Sequence, residues 1–144
     1  MSEHLFRRIL VADDGSPEGE HAATVAVELA AKCKAEVILL GVVEPANVQA
    51  DGEGLPMDDG SMARRRLEER FERFLVLGRT LGVRMVVEIV EGVPATEISH
   101  RAESDQADLI VVGKHTAGHV RRWFERHTSD AVLRESRCSV LVVR

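Results

Sequence analysis

Short unbroken apolar runs set the strongest constraint on what this chain can fold into. Ile9–Ala12, the EVILLGVV stretch of Glu36–Val43, Leu109–Val112 and the closing SVLVVR of Ser139–Arg144 carry apolar side chains at successive positions. Strands with one wetted face alternate apolar and polar residues; these do not, so they read as strands buried on both faces. Being four to eight residues long and bounded by Asp, Gly or Pro, they are too short for core helices.

Helical periodicity fills the intervals. After a first strand at Phe6–Asp13, Ser16 is a good N-cap, Pro17 fits the first turn, and Glu18 and Glu20 suit its positive end. Ala22, Val25, Ala26, Leu29, Ala30 and Cys33 then form a small-residue stripe on a helix running to about Lys34. Ala46–Gly60 is aperiodic, rich in Gly, Pro and acidic residues, and reads as a long loop. Ser61 caps the next helix, whose buried stripe is Leu67, Phe71, Phe74, Leu75 and Leu81, with Arg64–Arg66, Glu68, Glu69, Glu72 and Arg73 on a solvated face. Arg84–Val90 is a third strand, less purely apolar and so nearer an edge. Pro94 opens a short helix with Ala95, Ile98 and Ala102 inward. Strand four, Asp108–Gly113, leads into a basic segment that ends near Arg134, and strand five ends the chain.

Strands alternating with helices along residues 1–144 predict one α/β domain. Its core is an open five-stranded parallel sheet between two helical layers, Rossmann-like, with right-handed crossovers. Aromatic residues are only 3% of the chain, so the core falls to Val, Leu, Ile and Ala. A net charge of −5 argues against general nucleic-acid binding, and no run is long enough to span a membrane. The start lacks a secretory apolar stretch and the two cysteines, Cys33 and Cys138, match no metal or redox spacing, which fits a cytoplasmic protein with reduced thiols.

In such a sheet, ligands bind beyond the carboxyl ends of the strands where the strand order reverses. If strands one and four flank that point, Ala12, Asp13 and Asp14 meet Gly113, Lys114 and His115 across one crevice. A carboxylate there can accept from a ribose hydroxyl, and the strand–glycine–basic-helix order opposite suits phosphate. Other chemistry is scarce. The Asp13–Asp14 pair resembles that of a phospho-receiver, but no strand end supplies the acceptor aspartate. His115 and His119 have metal-ligand spacing, but the loop around Gly118 interrupts any regular helix. There is no catalytic triad, no partnered carboxylate pair and no P-loop, so an enzyme is not indicated. The apolar fifth strand, 139–144, leaves an uncovered sheet edge suited to pairing with its own copy in a two-fold homodimer.

Taken together in order and spacing, ILVADDGSPEGEHA, VILLGVVE, DLIVVGKH and SDAVLRESRCSVLVV resemble the universal stress protein family over essentially the whole chain. The resemblance implies a five-stranded parallel fold of the adenine nucleotide alpha hydrolase-like kind, a dimer, and membership of a family with one ATP-binding branch and one without. In that comparison Asp14 matches the acidic residue near ribose and adenine, and Val42 the position beside the base. The phosphate motif of the ATP-binding branch has glycines at positions matching Gly113, Thr116 and Arg126, followed by a hydroxyl residue where His127 stands. Gly118 matches a further loop glycine, and Thr128–Ser129 follow just downstream. Two of three marker glycines are thus replaced. A non-glycine residue in a left-handed conformation costs about 1–2 kcal/mol, so two such losses weaken phosphate binding by a factor of about a hundred. Lys114, Arg121, Arg122 and Arg126 offset part of it through charge. The resemblance therefore implies a stress-response protein acting as a dimeric binding or regulatory module, with weak or absent nucleotide binding. The alternative is a member that holds ATP or AMP, with magnesium, between Asp14, Val42 and residues 113–129 and hydrolyses it very slowly at most.

Overall fold

The computed structural model describes residues 5–43, 61–114 and 128–144. Nine elements alternate: β1 (Arg8–Asp13), α1 (Pro17–Cys33), β2 (Glu36–Val43), α2 (Ser61–Leu81), β3 (Met85–Glu91), α3 (Pro94–Ser104), β4 (Leu109–Gly113), α4 (Thr128–Glu135) and β5 (Ser139–Val143). The predicted loop at 46–60 and most of the basic segment after Lys114 lie outside the described residues.

The strands form one five-stranded sheet in the order β3-β2-β1-β4-β5, and every pairing is parallel. β1 lies between β2 and β4, so the chain winds outward first one way and then the other, and the order reverses at the β1–β4 seam. Asp108 fixes the lower end of that seam. Its carboxylate accepts the backbone N–H groups of Arg7, at 2.8 Å, and Arg8, at 3.1 Å. β3, the least apolar strand, is an edge, and Val86 on it is 55% exposed.

Side chains along β1 alternate between two cores, as a pleated strand requires. Ile9 and Val11 join Val37, Leu39 and Val111 beneath α1 and α2. Leu10 and Ala12 join Ile38, Leu40, Val42, Ile110 and Val112 beneath α3 and α4, through Ile98, Ala102 and Val132. This is the predicted three-layer arrangement. The buried face of α1 is wider than the sequence stripe, because Ala23 and Val27 are also fully buried while Val25, Leu29 and Cys33 are only partly so. A helix that packs on both the sheet and a neighbouring helix buries more than a single stripe. In α2 the buried line is Leu67, Phe71, Phe74 and Gly78; Leu81, at the helix end, is exposed.

Candidate functional site

The carboxyl end of β1 turns into α1 through Asp13, Asp14, Gly15 and Ser16, and several polar groups of this turn bond to one another. Gly15 sits at φ +87°, a left-handed conformation that costs a residue without a β-carbon little. Ser16 is the N-cap of α1, its hydroxyl accepting from the Gly19 N–H at 3.0 Å, as its position before Pro17 predicts. Asp14 Oδ1 in turn accepts from the Ser16 N–H at 2.9 Å and from the Ser16 hydroxyl. Both contacts use Oδ1, and Asp14 is half-buried.

Asp13 has a different role from Asp14. Pleating sends it to the same side as Ile9 and Val11, where it is fully buried under α2. Oδ1 accepts from the Gly15 N–H at 2.9 Å and from Arg70 Nη1 at 2.7 Å. Oδ2 is also buried and has no hydrogen-bond partner among the described residues. Burial pushes the Asp13 carboxyl up to about 6; the Arg70 charge and the Gly15 N–H pull it down, but not by enough to cancel the loss of water. The nearby Asp14 charge adds to the rise.

Arg70 is the residue the sequence does not reveal. It reaches from the middle of α2 to donate from Nη1 to the Ser16 carbonyl at 3.0 Å and from Nη2 to the Gly15 carbonyl at 2.9 Å. Glu20 of α1 stands 3.7 Å from Nη2. The guanidinium thus joins α2 to Asp13, Gly15 and Ser16 of the β1–α1 turn, using its planar fork of donors in a way no lysine can copy.

Across the seam, Gly113 ends β4. The space a side chain would fill there is taken by the backbone of α1, since a β-carbon on Gly113 would lie 2.7 Å from the Glu18 carbonyl oxygen. One residue on, Gly19 is equally constrained from the other side, with a β-carbon there 2.6 Å from carboxylate oxygens of both Asp13 and Asp14. The first turn of α1 is therefore wedged between the ends of β1 and β4, and both glycines are needed for close approach. The Lys114 N–H donates to the Val143 carbonyl at 2.6 Å, extending the β4–β5 pairing, while its side chain is exposed.

Of the residues predicted for the site, Ala12, Asp13, Asp14, Gly113 and Lys114 come together at this end of the sheet, and Val42 is the last residue but one of the neighbouring strand. Asp14 is the half-buried carboxylate, whereas Asp13 is turned away beneath Arg70. Ala12 and Val42 are 6% and 2% exposed, in the core under α3 and α4. His115, Thr116, Gly118, Arg126 and His127 lie outside the described residues; Thr128 and Ser129 open α4. Among the described residues no three His, Cys, Asp or Glu side chains converge as metal ligands, and no helix is long and apolar enough to cross a membrane.

Comparison with known proteins follows this geometry. The model of the universal stress protein family matches residues 5–144. A universal stress protein of Methanocaldococcus jannaschii is 31% identical over 143 residues, which are 99% of this chain and 84% of the relative. Among solved structures, a universal stress protein in complex with cAMP superposes with a TM-score of 0.69 at 23% identity, covering 96% of this chain and 97% of the other. The universal stress protein of Archaeoglobus fulgidus in complex with dAMP gives 0.66 at 18% identity, covering 97% and 99%.

Proposed function

Because this chain belongs to the universal stress protein family, we propose that it is a stress-response regulatory module. In this reading it binds an adenine nucleotide weakly at the β1–β4 seam and acts as a dimer. The observation that carries the reading is the unequal state of the two halves of the site. The nucleoside half is built: Asp14 is held by Ser16, and it sits at the reversal point of the sheet. The phosphate half departs from a backbone cradle. Gly113 serves the packing of α1, the Lys114 N–H is already used, and Thr116 and Arg126 stand where the motif has glycine.

Nucleotide phosphate in this scheme is met by side-chain charge from Lys114 and the basic 115–127 segment. Without a backbone cradle shaped for a triphosphate, AMP and ATP are expected to bind within about tenfold of one another, or about 1.4 kcal/mol. The relatives that hold cAMP and dAMP support an adenine monophosphate as the ligand class. Magnesium, in this reading, arrives with the nucleotide's phosphates. Chemistry on the nucleotide is not part of the proposal. The dimer uses the β5 edge, on which Leu141 is 37% exposed.

Isothermal titration with AMP and with ATP, each with and without magnesium, tests the ligand. Comparable, weak affinities are expected for both. ATP binding at least a hundredfold tighter than AMP would mean that a functioning triphosphate cradle exists after all. Val142→Pro, which places a proline in the edge strand, is expected to give monomer by light scattering; an unchanged dimer would move the interface elsewhere.

A further inference from the structure

The β1–α1 turn presents Asp14, yet among the described residues the hydrogen bonds of its carboxylate are local, from the N–H and hydroxyl of Ser16 two residues on. Contacts of that range set the shape of the turn but not its place relative to the sheet and helices. The group that ties the turn to a distant element is Arg70, 54 to 57 positions along the chain from its partners. Its guanidinium grips the Gly15 and Ser16 carbonyls and the Asp13 carboxylate at once. Carbonyl acceptors matter here because the Gly15 carbonyl belongs to the same peptide group as the Ser16 N–H that holds Asp14, and the Ser16 carbonyl to the next one along. Only 13% of the Arg70 side chain is exposed, so water competes little for its donors.

We infer that Arg70 is the positioning residue of the nucleoside half of the site, holding the 13–16 turn so that Asp14 stays directed at its ligand. The inference rests on the nucleotide-binding reading for its purpose but not for its geometry. Asp13 supplies the charge that makes an arginine tolerable at this depth, while the two carbonyl contacts do the positioning. Arg70 touches no ligand in this scheme, and its removal acts through the turn alone.

A single Arg70→Met exchange would leave the Asp13 carboxylate buried without its cation and risks unfolding the protein. The informative variant is Asp13→Asn/Arg70→Met, which leaves no net charge at depth and keeps an acceptor for the Gly15 N–H. Asp13→Asn alone serves as its control, since it retains both of the Arg70 contacts to carbonyls. Two readouts are compared: amide hydrogen exchange of Gly15, Ser16 and Gly19 in ligand-free protein, and AMP affinity by titration. Leu39 and Leu40 in the interior strand β2 report on global stability.

The double variant is expected to exchange at Gly15, Ser16 and Gly19 at least tenfold faster than the Asn control, with Leu39 and Leu40 within about twofold. Its AMP affinity is expected to fall about tenfold, or by about 1.4 kcal/mol. Exchange and affinity equal to those of the control would overturn the inference, because a merely structural pair would be fully replaced by the neutral one. Faster turn exchange together with unchanged, measurable AMP binding would also overturn it, by separating the turn from the ligand. If neither wild type nor variant binds AMP while turn exchange rises, the nucleotide reading fails and the hold of Arg70 on the turn stands.

Discussion

Replacing Asp13 with asparagine sets two opposing effects against each other, and the geometry decides between them. Breaking a buried ion pair by removing one partner commonly costs about 3–5 kcal/mol, because a charge is left at depth without compensation. Here the charge left behind is Arg70, which keeps the Gly15 and Ser16 carbonyls and lies 3.7 Å from Glu20. The charge removed is the costly one, since Asp13 is fully buried and its Oδ2 has no hydrogen bond among the described residues. Its carboxyl rises from 3.8 to about 6, and at about 1.36 kcal/mol for each tenfold change in proton affinity this amounts to roughly 3 kcal/mol. The folded protein therefore binds this proton more tightly than the unfolded chain. The resulting stabilisation is complete below pH 3.8, fades as pH rises through about 6, and is absent above it. Asparagine mimics the neutral carboxyl at every pH, less about 1–3 kcal/mol if its amide finds no acceptor where Oδ2 lay. Urea unfolding of both proteins between pH 4 and 8 measures the difference, in which the titration of all other groups cancels. At pH 7.5 Asp13→Asn should be between neutral and about 3 kcal/mol more stable than wild type, and that advantage should shrink by roughly 3 kcal/mol on descending to pH 4. A loss of 3 kcal/mol or more at pH 7.5, undiminished by pH, would refute the claim that burial outweighs the ion pair.

Other expectations concern the same corner of the molecule. Arg70→Met should behave oppositely, losing about 3–5 kcal/mol at pH 7.5 and less below pH 6, where Asp13 takes up a proton; the same unfolding series checks it. Gly113→Ala brings a β-carbon against the Glu18 carbonyl and should cost about 1–3 kcal/mol by thermal or urea unfolding, whether or not nucleotide is present. Ser16→Ala removes the α1 cap and the hydroxyl contact to Asp14, leaving only the backbone N–H on Asp14 Oδ1, so about 1 kcal/mol of stability should go with weaker AMP binding in titration.

The sheet was legible because continuous apolar runs leave few alternatives, and the polar residues of Arg84–Val90 correctly point to an edge. The adjacency of β1 and β4 is only a supposition at the level of sequence, and the order β3-β2-β1-β4-β5 bears it out. The division of labour between Asp13 and Asp14 was also within reach: Ile9, Val11 and Asp13 are two apart, so they share a face, and Asp13 must follow the other two inward. Arg70 was much less accessible. It stands among Arg64, Arg65, Arg66 and Arg73, in a helix whose charged residues mostly make a solvated face. Its only local mark is a place between Leu67 and Phe71, on the buried line of α2. Its partner is 57 positions away, and one sequence carries no signal for so distant a pairing. Gly19 and Gly113 pose the same difficulty, since close approach between α1 and two strand ends is a property of the assembled layers.

Whether the β1–β4 seam is where this protein meets an adenine nucleotide can be read directly from amide chemical shifts as AMP is titrated to about 5 mM, which populates sites of millimolar affinity. Saturable changes concentrated at Asp14, Gly15, Ser16, Gly113 and Lys114 are predicted. Silence at those amides throughout the titration, or changes clustered at the opposite end of the strands around Arg8 and Asp108, would contradict the account.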